Sequence, residues 1–171
     1  AASDVYKRQV IHRLDMETSG AVMFAKNPFV LPILNRLLEN KDIAREYWAL
    51  VQGKFEPKHQ VFQDKIGRDR HDRRKRVIDR KNGQTALTIV DRLKVFPNGT
   101  LVKCRLKTGR THQIRVHLSA HNHAIIGDPL YSKIPAKRLM LHAHKLSFTH
   151  PFTLEKISVE AKSQTFEAGL S

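Results

Sequence analysis

The stretch His12-Arg13-Leu14-Asp15-Met16-Glu17-Thr18-Ser19-Gly20 places an aspartate between an arginine two positions upstream and a Thr-Ser-Gly turn just downstream. The chain carries 31 Lys and Arg against 16 Asp and Glu, a formal charge of +15. An acid held in cationic surroundings stands out against that background. A nearby arginine favours the ionised form of a carboxylate, and the hydroxyls and backbone N–H groups of a tight turn can orient it. The plain alternative is a turn or capping aspartate, common ahead of Thr-Ser-Gly.

Outward from this stretch, 171 residues with 40% hydrophobic content suffice for one domain with its own core. The basic excess points to a polyanionic partner, of which nucleic acid is the usual one, and otherwise to a basic soluble protein. Cys104 is the only cysteine, so no intramolecular disulfide can form; this fits a reducing, cytoplasmic setting, with Cys104 a small core residue. No apolar run approaches the roughly 20 residues a membrane helix needs. The first residues lack the apolar core of a signal peptide. Asn98-Gly99-Thr100, a glycosylation sequon on paper, reads as a hairpin turn.

Residues 20–26 (GAVMFAK) read as a short buried strand. Asn27-Pro28 suggests a helix start, with Val30, Ile33, Leu34, Leu37 and Leu38 at helical spacing as far as Asn40. Pro32 removes a helical hydrogen bond, so the helix is distorted in its first turn or begins nearer that residue. Residues 45–51 (REYWALV) read as a strand, 67–82 as a charged loop, and 84–95 and 100–107 as the arms of a hairpin turning at Pro97-Asn98-Gly99. Residues 108–111 open a helix to about Asn122, with Ile114 and Leu118 one turn apart. Residues 124–126, 145–148 and 156–160 are further short strands. Strands outnumber helices, and the fold expected is α+β, with a mixed, mostly antiparallel sheet and flanking helices.

Four segments in order resemble the RluA-type pseudouridine synthases, a family that isomerises uridine in structured RNA. HRLDMETSG (12–20) is similar to the family's catalytic motif, and REYWALV (45–51) to the strand whose tyrosine lines the uridine pocket. TGRTHQIRVH (108–117) is similar to the TGRxHQxRxH motif, whose second arginine pairs with the catalytic aspartate. IGDPLY (126–131) and RLMLHA (138–143) resemble segments that close the active-site side. The resemblance implies a pseudouridine synthase fold, with Asp15, Tyr47 and Arg115 as the catalytic set and Arg13 filling the gap left by a flipped base. Family catalytic domains carry several tens of residues ahead of the HRLD motif, including strands of the central sheet. Residues 10–171 are therefore read as a partial catalytic domain, and residues 1–9 as foreign or unstructured.

Each of these residues also has a simpler reading. Tyr47 is an aromatic on a strand, usually core, though a flipped base needs a flat partner. Arg115 could contact phosphate from a basic helix face, a role that suits Arg110 better because it sits at the helix start. Arg13 could bind phosphate or pack beside Asp15. The run 68–81 holds eight Lys or Arg and three Asp. It is a solvated loop or, through Arg68, Arg73, Arg74 and Arg76, an RNA-backbone contact. His112 joins the RNA-binding set. The many histidines invite a metal, but His142-x-His144 has no acids nearby in sequence and Cys-x-x-Cys is absent, so no metal is assigned.

The expected function is isomerisation of uridines in ribosomal or transfer RNA by an aspartate, without organic cofactor. Covalent attack and removal of a ribose proton both need an ionised carboxylate. The alternative is a catalytically inactive RNA-binding module of the same fold; a metal-dependent nuclease lacks the acidic cluster that would hold Mg²⁺. RNA is the partner expected, with no membrane association and a monomeric state.

Overall fold

The computed structural model describes residues 9–170. One sheet organises them. Its strands, in chain order, are β2 (Ser19–Gly20), β4 (Ala44–Val51), β5 (His59–Phe62), β8 (Thr88–Phe96), β9 (Gly99–Leu106), β10 (Leu141–Thr149) and β11 (Lys156–Glu160). Their spatial order is β11-β10-β4-β9-β8-β5, and every pairing along it is antiparallel. The one parallel contact is β2 against β10, with His142 opposite Ser19 and Ala143 opposite Gly20. This agrees with a mostly antiparallel α+β fold. Two small ribbons stand beside the sheet. One pairs β1 (Gln9–Val10) with β3 (Phe24–Ala25), and the other pairs β6 (Ile66–Arg68) with β7 (Arg76–Ile78).

Helix α1 (Leu31–Glu39) starts after Val30, whose N–H is taken by Asn27 Oδ1 at 3.0 Å. Asn27-Pro28 thus forms the turn before the helix rather than its first residues. Pro32 sits in the first turn, where its missing N–H would have had no helical partner, so it costs little. Helix α2 (Gln113–Ala120) is shorter than 108–122 because His112, at φ 56°, adopts the left-handed conformation and delays its start. Helix α3 (Gln164–Ala168) is capped by Ser163, whose hydroxyl accepts from Phe166 N.

The main core joins Tyr47, Ala49, Leu50 and Val51 of β4 to Val102 and Cys104 of β9, Ile114 and Leu118 of α2, and Phe166 of α3. Cys104 is fully buried there, and burial pushes its thiol pKa up. A second cluster seats Leu34 of α1 against Ile11, Ala25, Ile43 and Leu146. No helix among the described residues is long and apolar enough to cross a membrane.

Five sequence expectations need correction. The single strand at 20–26 is two two-residue strands with a break between them, because β2 pairs with β10 while β3 pairs with β1. The charged stretch 67–82 is not all loop: Ile66–Arg68 and Arg76–Ile78 pair, with Ile66 buried. His59–Phe62 is an additional strand, and β10 runs well beyond 145–148. Gln9, grouped on sequence with the N-terminal tail, pairs with Ala25; the rest of that tail lies outside the described residues.

Candidate active site

Asp15 opens a turn in which Thr18 N–H donates to the Asp15 carbonyl at 2.9 Å. The chain then enters β2. Gly20, at φ 120°, lies so close to the Ala143 backbone that any Cβ would collide with it. A glycine here lets the turn be pinned directly to the sheet. Ser19 does not orient the Asp15 carboxylate. Its hydroxyl accepts from Arg138 Nη2 and bonds His142 Nδ1 at 2.8 Å.

The carboxylate is oriented from a hundred residues away. Arg115 Nη1 donates to Asp15 Oδ2 at 2.9 Å. Its Nε and Nη2 grip Asp128 Oδ2 and Oδ1, both at 2.8 Å. Asp128 Oδ1 also accepts from the N–H groups of Leu130 and Tyr131. Burial opposes charge on Arg115, but the bonds to Asp128 and Asp15 outweigh it and leave the pKa above the ordinary arginine value. Arg115 and Asp128 are 1% and 2% exposed, so one fork of the guanidinium is locked in the interior while the remaining donor reaches the surface at Asp15.

His112, the capping residue just ahead of helix α2, stands with Nε2 3.9 Å from Asp15 Oδ2. The Tyr131 hydroxyl accepts from Arg76 N–H at 2.8 Å and lies 2.9 Å from His112 Nδ1. Its own proton can then go to Nδ1, which puts the imidazole proton on Nε2, facing Asp15. Burial lowers the His112 pKa; Asp15 pulls it up and Arg115 down.

Tyr47, on β4, lies in the wall of the same cleft and is 5% exposed. Burial raises its pKa, with Arg45 lowering and Asp15 raising it, so the phenol keeps its proton at neutral pH. The cleft has a volume of about 650 Å³ and is bounded by the Ile11–Asp15 segment, Tyr47 and the loop 106–112. Gln113 holds that loop with all four of its amide bonds. Its oxygen accepts from Thr108 Oγ1 and Arg110 N, and its nitrogen donates to Leu87 O and Thr88 Oγ1.

The structure therefore brings together Asp15, Tyr47, Arg115, Arg13, Arg110 and His112 around one cleft. It places Arg68, Arg73, Arg74 and Arg76 apart from that cleft, on the β6–β7 ribbon, which touches the site through the bond from Arg76 N to Tyr131. Arg74 is engaged with Asp72 at 2.8 Å, and Arg76 Nη1 donates to the carbonyls of Arg73 and Lys75. Arg110 Nε donates to Thr85 O, so its guanidinium is partly committed to holding its own loop. Asp128 and Tyr131, singled out in the sequence only as part of a segment that closes the active-site side, are structural partners of the site. The available signal was an acid inside the apolar segment Ile125-Ile126-Gly127-Asp128 of a strongly basic chain. No cluster of three or more His, Cys, Asp or Glu fit to hold a metal occurs among the described residues.

Strand order, cleft and arginine-held carboxylate define an α+β domain built around a basic cleft with a partly exposed acid at its mouth. The chain belongs to the RNA pseudouridylate synthase family, whose model matches residues 2–120. It is 44% identical over 160 residues to the uncharacterized RNA pseudouridine synthase YhcT of Bacillus subtilis, covering 88% of this chain and 51% of that protein. It is 38% identical over 176 residues to the ribosomal large subunit pseudouridine synthase D of Neisseria meningitidis, covering 93% and 46% respectively. The solved structure of human RNA pseudouridylate synthase domain containing 1 superposes with a TM-score of 0.80 at 28% identity, over 96% of this chain and 72% of that one. The chain thus spans about half the length of the curated relatives it matches.

Proposed function

We propose that this chain isomerises uridine to pseudouridine in structured RNA, ribosomal or transfer, with Asp15 as the catalytic carboxylate. The observation that carries the reading is the pair Arg115–Asp15 at 2.9 Å, set at the mouth of a cleft that Tyr47 lines. The reaction breaks the N1–C1′ bond, turns the base, and forms a C5–C1′ bond; N1 gains a proton and C5 loses one. Nothing is oxidised and no group is added, so a carboxylate, a cation to hold it and a flat base-binding wall suffice. The target base must be everted from folded RNA, and the Tyr47 ring offers it a stacking face. Arg13 is exposed and lines the same cleft, which supports a role for it in meeting the RNA at the vacated position.

The test is release of tritium from RNA labelled at uridine C5. Wild type should release it without divalent metal and without cutting the strand. Asp15→Asn should bind the same RNA within about twofold and release none, since the amide can neither attack nor take a proton. Release by the Asn variant would remove Asp15 from the chemistry. RNA binding without release by wild type would leave an inactive binding module of the same fold.

A further inference from the structure

We propose that the end of the cleft where Arg45 faces Thr108 and Gly109 is a phosphate site, holding a backbone phosphate next to the nucleotide whose base lies at Tyr47. This rests on the reading of the cleft as a uridine site.

Arg45 and Tyr47 are two apart on β4, so their side chains leave the strand on the same face, and both line the cleft. Two of the cleft arginines, Arg45 and Arg115, have different environments. Arg115 is matched by two carboxylates. Arg45 has no carboxylate within 4.0 Å among the described residues; its Nη2 makes one long contact, 3.5 Å, to Thr108 O, and its Nε is buried without a partner. A guanidinium has five donors in a planar fork that matches two phosphate oxygens. Leaving such a cation half-buried and uncompensated disfavours the free protein, and burial accordingly lowers the Arg45 pKa.

His12 adds an independent observation in the same cleft wall. It is 6% exposed, and its Nε2 accepts from Met23 N–H at 3.1 Å. The ring proton therefore lies on Nδ1, a buried donor with no acceptor. Lys41 and Lys107 also line the cleft, where Glu39 is the only acid besides Asp15. Gly109 makes room: a Cβ there would stand 3.0 Å from Arg45 Nη1. The cleft thus has a cationic end with unused donors, complementary to an anion and lying on the same strand face as the base-stacking wall.

The probe is uridine 3′,5′-bisphosphate, compared with uridine and with inorganic phosphate, each titrated against the folded chain by NMR. Wild type should bind the bisphosphate about tenfold or more tighter than uridine, the size expected of a hydrogen-bonded charge pair. Arg45→Met should lose most of that preference, its bisphosphate affinity falling far more than its uridine affinity, and Arg45→Lys should recover part of it. Gly109→Ala, which keeps the charge but crowds the guanidinium, should lose preference too. The thermal midpoint of Arg45→Met should be unchanged or raised, which a merely structural arginine would not give. An undiminished preference in Arg45→Met overturns the phosphate site and leaves the isomerase reading standing. Inorganic phosphate binding as tightly as the bisphosphate would also overturn it, since the site would then hold a free anion rather than a nucleotide's. Failure of the isomerase reading shows separately, as absent tritium release by wild type.

Discussion

Arg115 carries two opposed demands in one side chain. Three of its donors go to two carboxylates, Asp128 in the interior and Asp15 at the cleft mouth. The interior fork fixes where the remaining donor points, so Asp128 positions Asp15 without touching a substrate. Asp128→Asn should therefore act twice. It strips the buried guanidinium of a counter-charge, which costs about 3 kcal/mol when a buried pair is broken from one side. It also loosens the donor that holds Asp15. Urea denaturation should show the first effect, and tritium release should show the second as lowered turnover with RNA affinity little changed. Arg115→Lys should fare nearly as badly as Arg115→Met, because an ammonium cannot hold two carboxylates in a fixed fork. A lysine variant of ordinary activity would mean that charge alone, not the fork, is what the site uses. Much at this scale was legible in the sequence, because His12–Gly20 and Thr108–His117 are local motifs. Asp128 and Tyr131 were harder to see. Their partners lie on α2 and β7, and burial of an acid is not written in its neighbours.

At the scale of elements, β4 was easy to read because its apolar and aromatic residues outweigh its charges. It carries Arg45 and Tyr47 to the cleft and, through β9 and β10 on either side, holds them in the middle of the sheet. The phenol is protonated at neutral pH and can donate. Tyr47→Phe should therefore keep uridine binding and lose turnover by about 10²-fold, the usual scale of one lost proton-transfer partner. Turnover that survives the change would leave only stacking for the ring. The β6–β7 ribbon was hidden because three-residue strands flanked by Arg, Lys and Asp show no apolar period; only Ile66 is fully buried. Its paired geometry also tempers the charge it offers. Arg74 is held by Asp72, and Arg76 by carbonyls of its own turn. Replacing Arg73, Arg74 and Arg76 together by Gln should weaken target and non-target RNA alike. It should flatten the plot of log affinity against log salt by about 1 to 2, fewer phosphates than charges removed at 0.7 to 0.9 each. An unchanged slope would restrict RNA contact to the cleft face that carries Arg13 and Arg110.

For the whole molecule, the basic charge that suits an RNA surface also bears on stability in acid. Composition pointed to a polyanionic partner but could not reveal which histidines are buried, since that depends on strands far apart in the chain. The fold buries several beside other positive groups. His12 is pushed down to about 4, first by burial and then by Arg45. Burial is also the leading cause of the lowered values at His117 and His142. In each case the unfolded chain takes up a proton near the ordinary value of 6.5, while the folded chain resists until lower pH. Between those two values the unfolded state binds more protons, so stability rises with pH there. The contribution of His12 is fully present above 6.5, is lost as pH falls from 6.5 towards about 4, and changes no further below that. For His12 alone the span corresponds to about 3 kcal/mol. Urea titrations at about pH 7.5 and 4.5 should show the loss, and His12→Gln, whose amide oxygen can still accept from Met23 N–H, should remove about 2 kcal/mol of the difference. Arg45→Met should shrink the same difference in smaller measure, because it removes the cation that helps keep His12 neutral. If the wild-type and His12→Gln curves fall in parallel with pH, His12 titrates alike folded and unfolded, and the acid sensitivity lies with other groups, among them His112, His117 and His142, whose values burial also lowers.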